Sequence, residues 1–164
     1  MDIVYLGSIA DRQGNTDTGD REREIRNNSY KNILLSTKKS FTMAEHNELG
    51  KLGEQIASDY LKDKGFKIIA RNWRFKHKEV DIIAFDNDCL VIVEVKTRTS
   101  SGWEHPRESI TPAKIRFLVH AADQFIQQNK IDNNVRFDVV SVMPKDNGEW
   151  DIEHIDGAFT AQAE

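Results

Sequence analysis

The sequence predicts an α/β protein (α+β), in which a mixed β-sheet is flanked by helices in the order αβββαββ. Three observations predict this class. Two segments repeat apolar residues at helical spacing, and five short segments are rich in β-branched and aromatic residues. Short polar breaks with turn-forming residues separate most of the predicted strands, which indicates hairpins.

The first helix is predicted within residues 45–65. Its apolar residues recur at intervals of three and four, which is typical of one buried helical face, and Gly65 supplies the C-terminal stop. The residues of this face are Leu49, Leu52, Gly53, Ile56, Ala57, Tyr60 and Leu61.

Three strands are predicted next, at residues 66–75, 79–85 and 90–97. The polar breaks at 76–78 and 86–88 are short enough for tight hairpin turns. We therefore expect these strands to form an antiparallel meander.

The second helix is predicted to begin at Thr111, a good N-cap, with Pro112 at the first helical position, where no amide donor is required. A further strand is predicted at residues 135–142. The Asn-Gly pair at 147–148 is a strong turn signal, so residues 150–155 are expected to pair back as an edge strand.

Composition indicates a soluble globular chain, with 164 residues of which 38% are hydrophobic and 30% charged. No apolar run approaches the roughly 20 residues of a membrane helix, and we find no signal-peptide pattern. Cys89 is the only cysteine, which excludes an internal disulfide and fits a reducing compartment. We therefore expect a cytoplasmic protein that does not contact a membrane.

Residues 1–42 differ from the rest because they are polar, carry mixed charge and show no apolar periodicity. Met43 resembles a translation start immediately before a strong helical pattern. We predict that residues 1–42 are a disordered extension or sequence added upstream, and that residues 43–160 are the folded domain. The alternative is a genuine arm that becomes ordered on a partner.

The predicted hairpin brings two acids and a lysine together. Side chains alternate along a strand, so Glu94 and Lys96 share one face while three valines share the other. Asp81 lies in the preceding apolar strand, and a turn at 86–88 would place it within several ångströms of Glu94. Neighbouring acids repel, and a divalent cation relieves that repulsion. The sequence therefore predicts a site for Mg²⁺ (or Mn²⁺), which prefers carboxylate and water oxygens.

Such a cation polarises a phosphoryl oxygen and lowers the pKa of bound water. Lys96 could orient or help deprotonate the attacking water and offset charge that develops in the transition state. Glu54, at the edge of the first helix's apolar face, could supply a further carboxylate. The alternatives are an ordinary surface ion pair for Glu94 and Lys96, and an ordinary helix-border position for Glu54.

Basic residues cluster before this hairpin although the chain carries a net charge of −4. The segment from residue 62 to 78 contains seven lysines and arginines against one aspartate. Its basic side chains could contact a nucleic-acid backbone or simply keep an exposed hairpin soluble. The candidates for phosphate contact are Arg71, Arg74, Lys76, Lys78, Arg98 and Lys114.

The residues Val80-Asp81 and Glu94-Val95-Lys96 resemble the motif of the PD-(D/E)xK nuclease superfamily, with Val80 in place of the proline. More specifically, the chain resembles the YraN-like family of endonucleases, which is related to archaeal Holliday-junction resolvases, from about residue 50 to 142. The resemblance also rests on Gly53-Glu54, Gly65, Arg71-Asn72, Glu79 to Ile83, Val93 to Arg98, Lys114 and Arg136 to Val140.

This resemblance implies a restriction-endonuclease-like core with metal bound by Asp81, Glu94 and the carbonyl of Val95. Lys96 would be the catalytic lysine and Glu54 the additional helix acid. The implied function is Mg²⁺-dependent hydrolysis of DNA, in particular branched or structured DNA, by a homodimer. Two alternatives stay open, a nucleic-acid-binding module of the same fold that does not cut, and a protein-interaction domain.

Three other features carry weaker expectations. Asp138 lies in an apolar strand, where it could be a buried, hydrogen-bonded structural acid. Trp103, in a loop that contains glycine, could stack on an unpaired base or pack over the edge of the core. The five histidines show no metal-ligand spacing, so we assign them no catalytic role.

Overall fold

The computed structural model describes residues 43–98, 110–145 and 147–161. The N-terminal extension predicted at residues 1–42 lies outside these ranges, and so does Trp103. Within them the elements follow the predicted order αβββαββ, which confirms the fold class. They are α1 (Met43–Asp63), β1 (Lys67–Phe75), β2 (Lys78–Asp86), β3 (Cys89–Thr97), α2 (Pro112–Asn129), β4 (Asn134–Pro144) and β5 (Trp150–Phe159).

The five strands form one mixed sheet in the order β1-β2-β3-β4-β5. β1, β2 and β3 are the predicted antiparallel meander. β4 pairs parallel to β3, and helix α2 lies in the connection that such a crossover requires. β5 pairs antiparallel to β4 at the sheet edge. The arrangement is consistent with a restriction-endonuclease-like fold.

β5 extends four residues beyond its predicted end, to Phe159. The Asp156-Gly157 pair has the composition of a turn, yet the structure accommodates it as an irregularity in the β4–β5 ladder, opposite Asp138. Gly157 has a positive φ of 57°, which a glycine adopts at little cost in such a bulge. Composition therefore predicted a strand end where the structure has a bulge.

Apolar side chains cover both faces of the sheet. One buried cluster packs Ala57 and Leu61 of α1 against Val91 and Val93 of β3. The other cluster packs α2 against the opposite face, which includes Ile92. The alternation predicted along β3 is therefore present, and it leaves Glu94 and Lys96 on the face that α2 covers.

The predicted end of α1 at Gly65 and the predicted start of α2 at Thr111 are both present. Gly65 follows α1 with a φ of 91°, and the N–H of Phe66 donates to the carbonyl of Leu61. At the start of α2, Thr111 Oγ1 accepts a 3.2 Å hydrogen bond from the N–H of Lys114. None of the described helices is long and apolar enough to cross a membrane.

Candidate functional site

The candidate site begins where β2 and β3 separate. Their antiparallel ladder runs to the pair Ile82–Val93 and stops before Asp81. In place of a backbone acceptor, the N–H of Val95 donates a 2.7 Å hydrogen bond to Asp81 Oδ2. The Asp81 carboxylate therefore joins the two strands at the point where their backbones part, directly beside Glu94.

The side-chain alternation of β2 also breaks at this point. Val80 packs in the cluster under α2, whereas Ile82, two residues later, packs in the cluster under α1. Regular pleating would put both side chains on one face. The backbone therefore turns at Asp81, which lies half-buried between the two clusters.

Glu94 is a buried acid held by two lysines from different elements. Its side chain is 5% exposed; Lys96 Nζ lies 2.9 Å from Oε1 and Lys114 Nζ lies 2.6 Å from Oε2. Lys96 is two residues along the same strand, and Lys114 is in the first turn of α2. The prediction joined Glu94 to Lys96 and assigned Lys114 only to phosphate, so the second ion pair is a finding of the structure.

Helix α1 reaches this site through Gly53. A Cβ built on Gly53 would overlap the side chain of Thr97, at the end of β3, so only a glycine permits this approach of helix and strand. The next residue, Glu54, is half-buried, and its charge acts on Asp81. The structure thus brings the predicted helix acid into the electrostatic environment of Asp81.

Asp81 is strongly perturbed. Burial, together with the charges of Glu94 and Glu54, raises the pKa of this carboxyl to about 7, against an ordinary value of 3.8. The hydrogen bond from the Val95 N–H and the charge of Lys114 act in the opposite direction but do not offset the rise. The donors and cations of the site therefore compensate the negative charge of its carboxylates only in part.

This donor set fits a hard divalent cation. The carboxylates of Asp81 and Glu94 offer oxygen ligands. Val95 follows Glu94 in β3 and donates its N–H to Asp81, so its backbone carbonyl is a further candidate oxygen ligand. The buried Oε2 of Glu94 lies 2.6 Å from the Lys114 ammonium. This oxygen already has a cationic partner, so a metal ion that binds there competes with that ion pair.

The predicted phosphate contacts do not form one group. Arg71 donates from Nη1 to Gln55 of α1 at 2.7 Å, and Arg74 pairs with Glu79 at 2.8 Å. Lys78, by contrast, lies over the ring of Phe117 on α2, 5.6 Å from its centroid. Arg71 and Lys78 thus contact α1 and α2, the helices that cover opposite faces of the sheet, so the two basic side chains do not lie on one surface.

Two other predicted phosphate contacts also have partners within the protein. Lys76 lies 5.1 Å over the ring of Phe75, and the N–H of Arg98 donates to the carbonyl of Val142.

A second acidic cluster lies at the β4–β5 ladder, and the sequence analysis assigned no metal to it. Asp138, His154 and Asp156 each offer one ligand atom, and these atoms lie within 4.8 Å of one another, so the cluster could hold a metal ion. His154 Nε2 is 3.0 Å from Asp138 and 3.1 Å from Asp156. A clue was available in the sequence, because His154 and Asp156 are two residues apart in a strand.

Asp138 is well paired within this cluster. Arg136 donates to both of its oxygens at 2.9 Å, and the N–H of Gly157 donates to Oδ1 at 2.9 Å. Burial alone would raise the pKa of Asp138, but the hydrogen bonds from His154, Arg136 and Gly157 hold it below its ordinary value. The expectation that Asp138 is a buried, hydrogen-bonded acid is confirmed.

Comparison with known proteins places the chain in a family. The profile described as uncharacterised protein family UPF0102 matches residues 53–142. A UPF0102 protein from Flavobacterium psychrophilum is 45% identical over 117 residues, which cover 71% of this chain and 98% of the relative. Relatives from Bacteroides fragilis and Bacteroides thetaiotaomicron are 50% and 48% identical over 117 residues, again covering 71% of this chain and 96% of each relative.

The matched range contains both strands of the Asp81–Glu94 site, the glycine at the α1 contact and Lys114. It confirms the family resemblance drawn from the motifs. The chain belongs to the UPF0102 (YraN-like) family.

Proposed function

We propose that this protein is a metal-dependent endonuclease that hydrolyses DNA phosphodiester bonds, with branched or structured DNA as its substrate. One observation carries the proposal. Asp81 and Glu94 share a buried site in which Asp81 is held near pKa 7, while two lysines contact Glu94. Perturbed acids beside basic groups are typical of catalytic sites. Membership in the UPF0102 family agrees with this function, but family membership alone is not evidence of nuclease activity.

The residues divide into those that hold a cation and those that act on substrate. Asp81, Glu94 and the carbonyl of Val95 would hold Mg²⁺ or Mn²⁺, with Glu54 as an additional acid. Bound there, the metal would supply a Lewis acid for the phosphoryl oxygen and a source of hydroxide near neutral pH. Lys96 would orient the attacking water and offset the charge that develops on the phosphoryl group.

Basic side chains around the site would bind the DNA backbone. The net charge of −4 makes general coating of nucleic acid unfavourable, so binding would depend on local patches. We assign Lys114 and Arg98 to phosphates near the cut and Arg71, Arg74, Lys76 and Lys78 to flanking phosphates. Affinity should therefore fall steeply as salt rises. We extend the proposal to a homodimer, because a four-way junction offers two equivalent cuts. The single cysteine fits a reducing compartment, so we also propose a cytoplasmic location.

The test is cleavage of end-labelled four-way junction, duplex and single-stranded DNA by purified protein in Mg²⁺ or Mn²⁺. Glu94→Gln and Lys96→Ala should each lower the rate by about 10²–10⁴-fold, the usual size of acid–base and electrostatic contributions. Glu48→Gln is the control. It removes an acid of α1 that is 67% exposed and pairs with Lys51, and it should leave the rate within about twofold.

Other outcomes would identify the rival functions. Salt-sensitive DNA binding without cleavage of any substrate would favour a binding module that kept the fold. Cleavage that persists in both Glu94→Gln and Lys96→Ala would point to a contaminant or to a different site. Absence of nucleic-acid binding at low salt, together with recovery of a protein partner, would favour an interaction domain.

A further inference from the structure

Lys114 contacts the acid that the proposed function assigns to the metal. Its Nζ lies 2.6 Å from Glu94 Oε2, and its side chain is 23% exposed. That oxygen is buried, and no other described group donates a hydrogen bond to it. The ammonium therefore compensates the charge of Glu94 at an oxygen that a bound metal ion would use.

The contact is built into the fold. Thr111 caps α2 by accepting a hydrogen bond from the N–H of Lys114, which fixes the backbone of the first helical turn. The Lys114 ammonium also lies 5.6 Å from the centroid of the Phe117 ring, one turn further along the helix. An aromatic face on one side and a carboxylate on the other restrict where the Lys114 ammonium can lie.

Lys78 provides an internal comparison. Its Nζ lies over the same Phe117 ring at the same 5.6 Å distance, but Lys78 is exposed. Lys114 pairs with Glu94 and its charge lowers the pKa of Asp81, whereas Lys78 forms no ion pair with either acid among the described contacts. Both ammonium groups thus contact the ring of Phe117, but of the two lysines Lys114 is the one that pairs with Glu94.

We propose that Lys114 is an exchangeable counter-ion, which neutralises Glu94 in the metal-free protein and is displaced when a divalent cation binds. The inference rests on the proposed function, because it uses the same acids as metal ligands. Two cations cannot both contact one buried oxygen at short distance without strong repulsion. Metal binding therefore competes with the Lys114–Glu94 ion pair, and the ion pair lowers the apparent affinity for metal.

The experiment measures Mn²⁺ affinity by calorimetry for wild type, Lys114→Met and Lys78→Met at low ionic strength. The titrations are run at pH 8.5, above the pKa of about 7 that Asp81 has in the wild-type protein, to reduce competition between protons and the metal. Methionine keeps an unbranched apolar side chain and removes the ammonium group. We expect Lys114→Met to bind Mn²⁺ about tenfold more tightly, a typical coupling between competing contacts, and Lys78→Met to stay within about twofold of wild type.

A second measurement uses the wild-type protein, so its result does not depend on whether a variant folds. The side-chain ammonium resonances of ¹⁵N-labelled protein are followed while Mg²⁺ is added. The Lys114 resonance, protected by its carboxylate contact, should shift or broaden as the contact is lost, while that of Lys78 should not. A Lys114 resonance unchanged at saturating Mg²⁺ would overturn the inference.

The outcomes separate this inference from the proposed function. Equal or weaker Mn²⁺ binding by Lys114→Met, with cleavage by the wild-type protein intact, overturns the counter-ion role alone. Absence of Mn²⁺ binding in all three proteins overturns both. Tighter binding in Lys114→Met, together with a shift or broadening of the wild-type Lys114 resonance on Mg²⁺ addition, supports the counter-ion role and the metal site that the proposed function requires.

Discussion

Asp81 and Asp138 are acids in similar local sequence with opposite electrostatic states. Each lies between apolar residues in a strand of the same sheet. Asp138 accepts hydrogen bonds from Arg136, His154 and the N–H of Gly157, and its pKa is lowered. Asp81 accepts one from the N–H of Val95, faces further acids, and has its pKa raised to about 7.

The difference teaches how to distinguish a structural acid from a candidate functional one. At Asp138, several donors replace the water that burial removed, so ionisation of the acid and folding support each other. At Asp81, ionisation opposes folding until another cation arrives. An acid that the fold leaves incompletely neutralised is the better candidate for a ligand site. Four predictions test this contrast, from the largest expected effect to the smallest.

The first prediction is that Asp138→Asn lowers the free energy of unfolding by about 4 kcal/mol at pH 7. The change removes the buried charge that Arg136, His154 and the N–H of Gly157 contact, and it leaves Arg136 only its pair with Asp86. Breaking a buried pair from one side is costly. Urea unfolding followed by tryptophan fluorescence measures it. Asp123→Asn, an exposed change on α2, should stay within about 0.5 kcal/mol. A loss below about 1 kcal/mol for Asp138→Asn would contradict the structural role.

The second prediction is that Asp81→Asn stabilises the metal-free protein, by about 2 kcal/mol more at pH 8 than at pH 5. Between pH 3.8 and about 7, the folded wild type holds a proton on Asp81 that the unfolded chain has lost. Wild-type stability therefore falls as pH rises through this window. Asparagine stays neutral and still offers Val95 an oxygen acceptor. Urea unfolding of both proteins at the two pH values measures the difference, and destabilisation at pH 8 would refute the unsatisfied-acid interpretation.

The third prediction asks which cluster takes the metal. Mn²⁺ at ten times its Kd should raise the free energy of unfolding by about 1.4 kcal/mol in wild type. Glu94→Gln should abolish this protection. Asp156→Asn should keep it, because Asp138 in the second cluster is already paired with both Arg136 and His154. Asp156 is 66% exposed, so its variant should fold. Thermal unfolding with and without Mn²⁺ measures the effect. Loss of protection in Asp156→Asn alone would move the metal to the second cluster.

The fourth prediction concerns the contact that brings Glu54 to Asp81. Gly53→Ala should destabilise the protein by about 1 kcal/mol, since overlap with Thr97 outweighs the better helix propensity of alanine. Gly50→Ala, three residues earlier with open space around it, should instead stabilise by about 0.5–1 kcal/mol. Chemical denaturation of both variants provides the measurement. Equal stabilisation by the two changes would show that α1 does not need this close approach.

Much of the fold could be predicted from the sequence because its elements are strongly patterned. The helical face of α1, the Thr111 cap and the hairpin turns depend on local chemistry, and the structure confirms them. The end of β5 was placed too early, because Asp156-Gly157 has turn composition and only the pairing with β4 makes it a bulge.

The candidate site was predicted in part. Alternation along β3 and the hairpin were sufficient to place Asp81 near Glu94 and Lys96. The contact of Lys114 with Glu94 joins residues 20 positions apart and depends on how α2 crosses the sheet, which no local pattern specifies. The ion-pair network of Asp138 likewise requires the register of β4 and β5.

The sequence by itself determined which residues form helices, strands and turns, and which acids and lysines share a strand face, because these follow from neighbours along the chain. Only the tertiary structure decided how fully each acid is neutralised, because the remaining donors come from distant segments. Asp138, which has Arg136 two residues away on its own strand, also received His154 and the N–H of Gly157 from β5. Asp81 received one backbone N–H and lies in the field of Glu94.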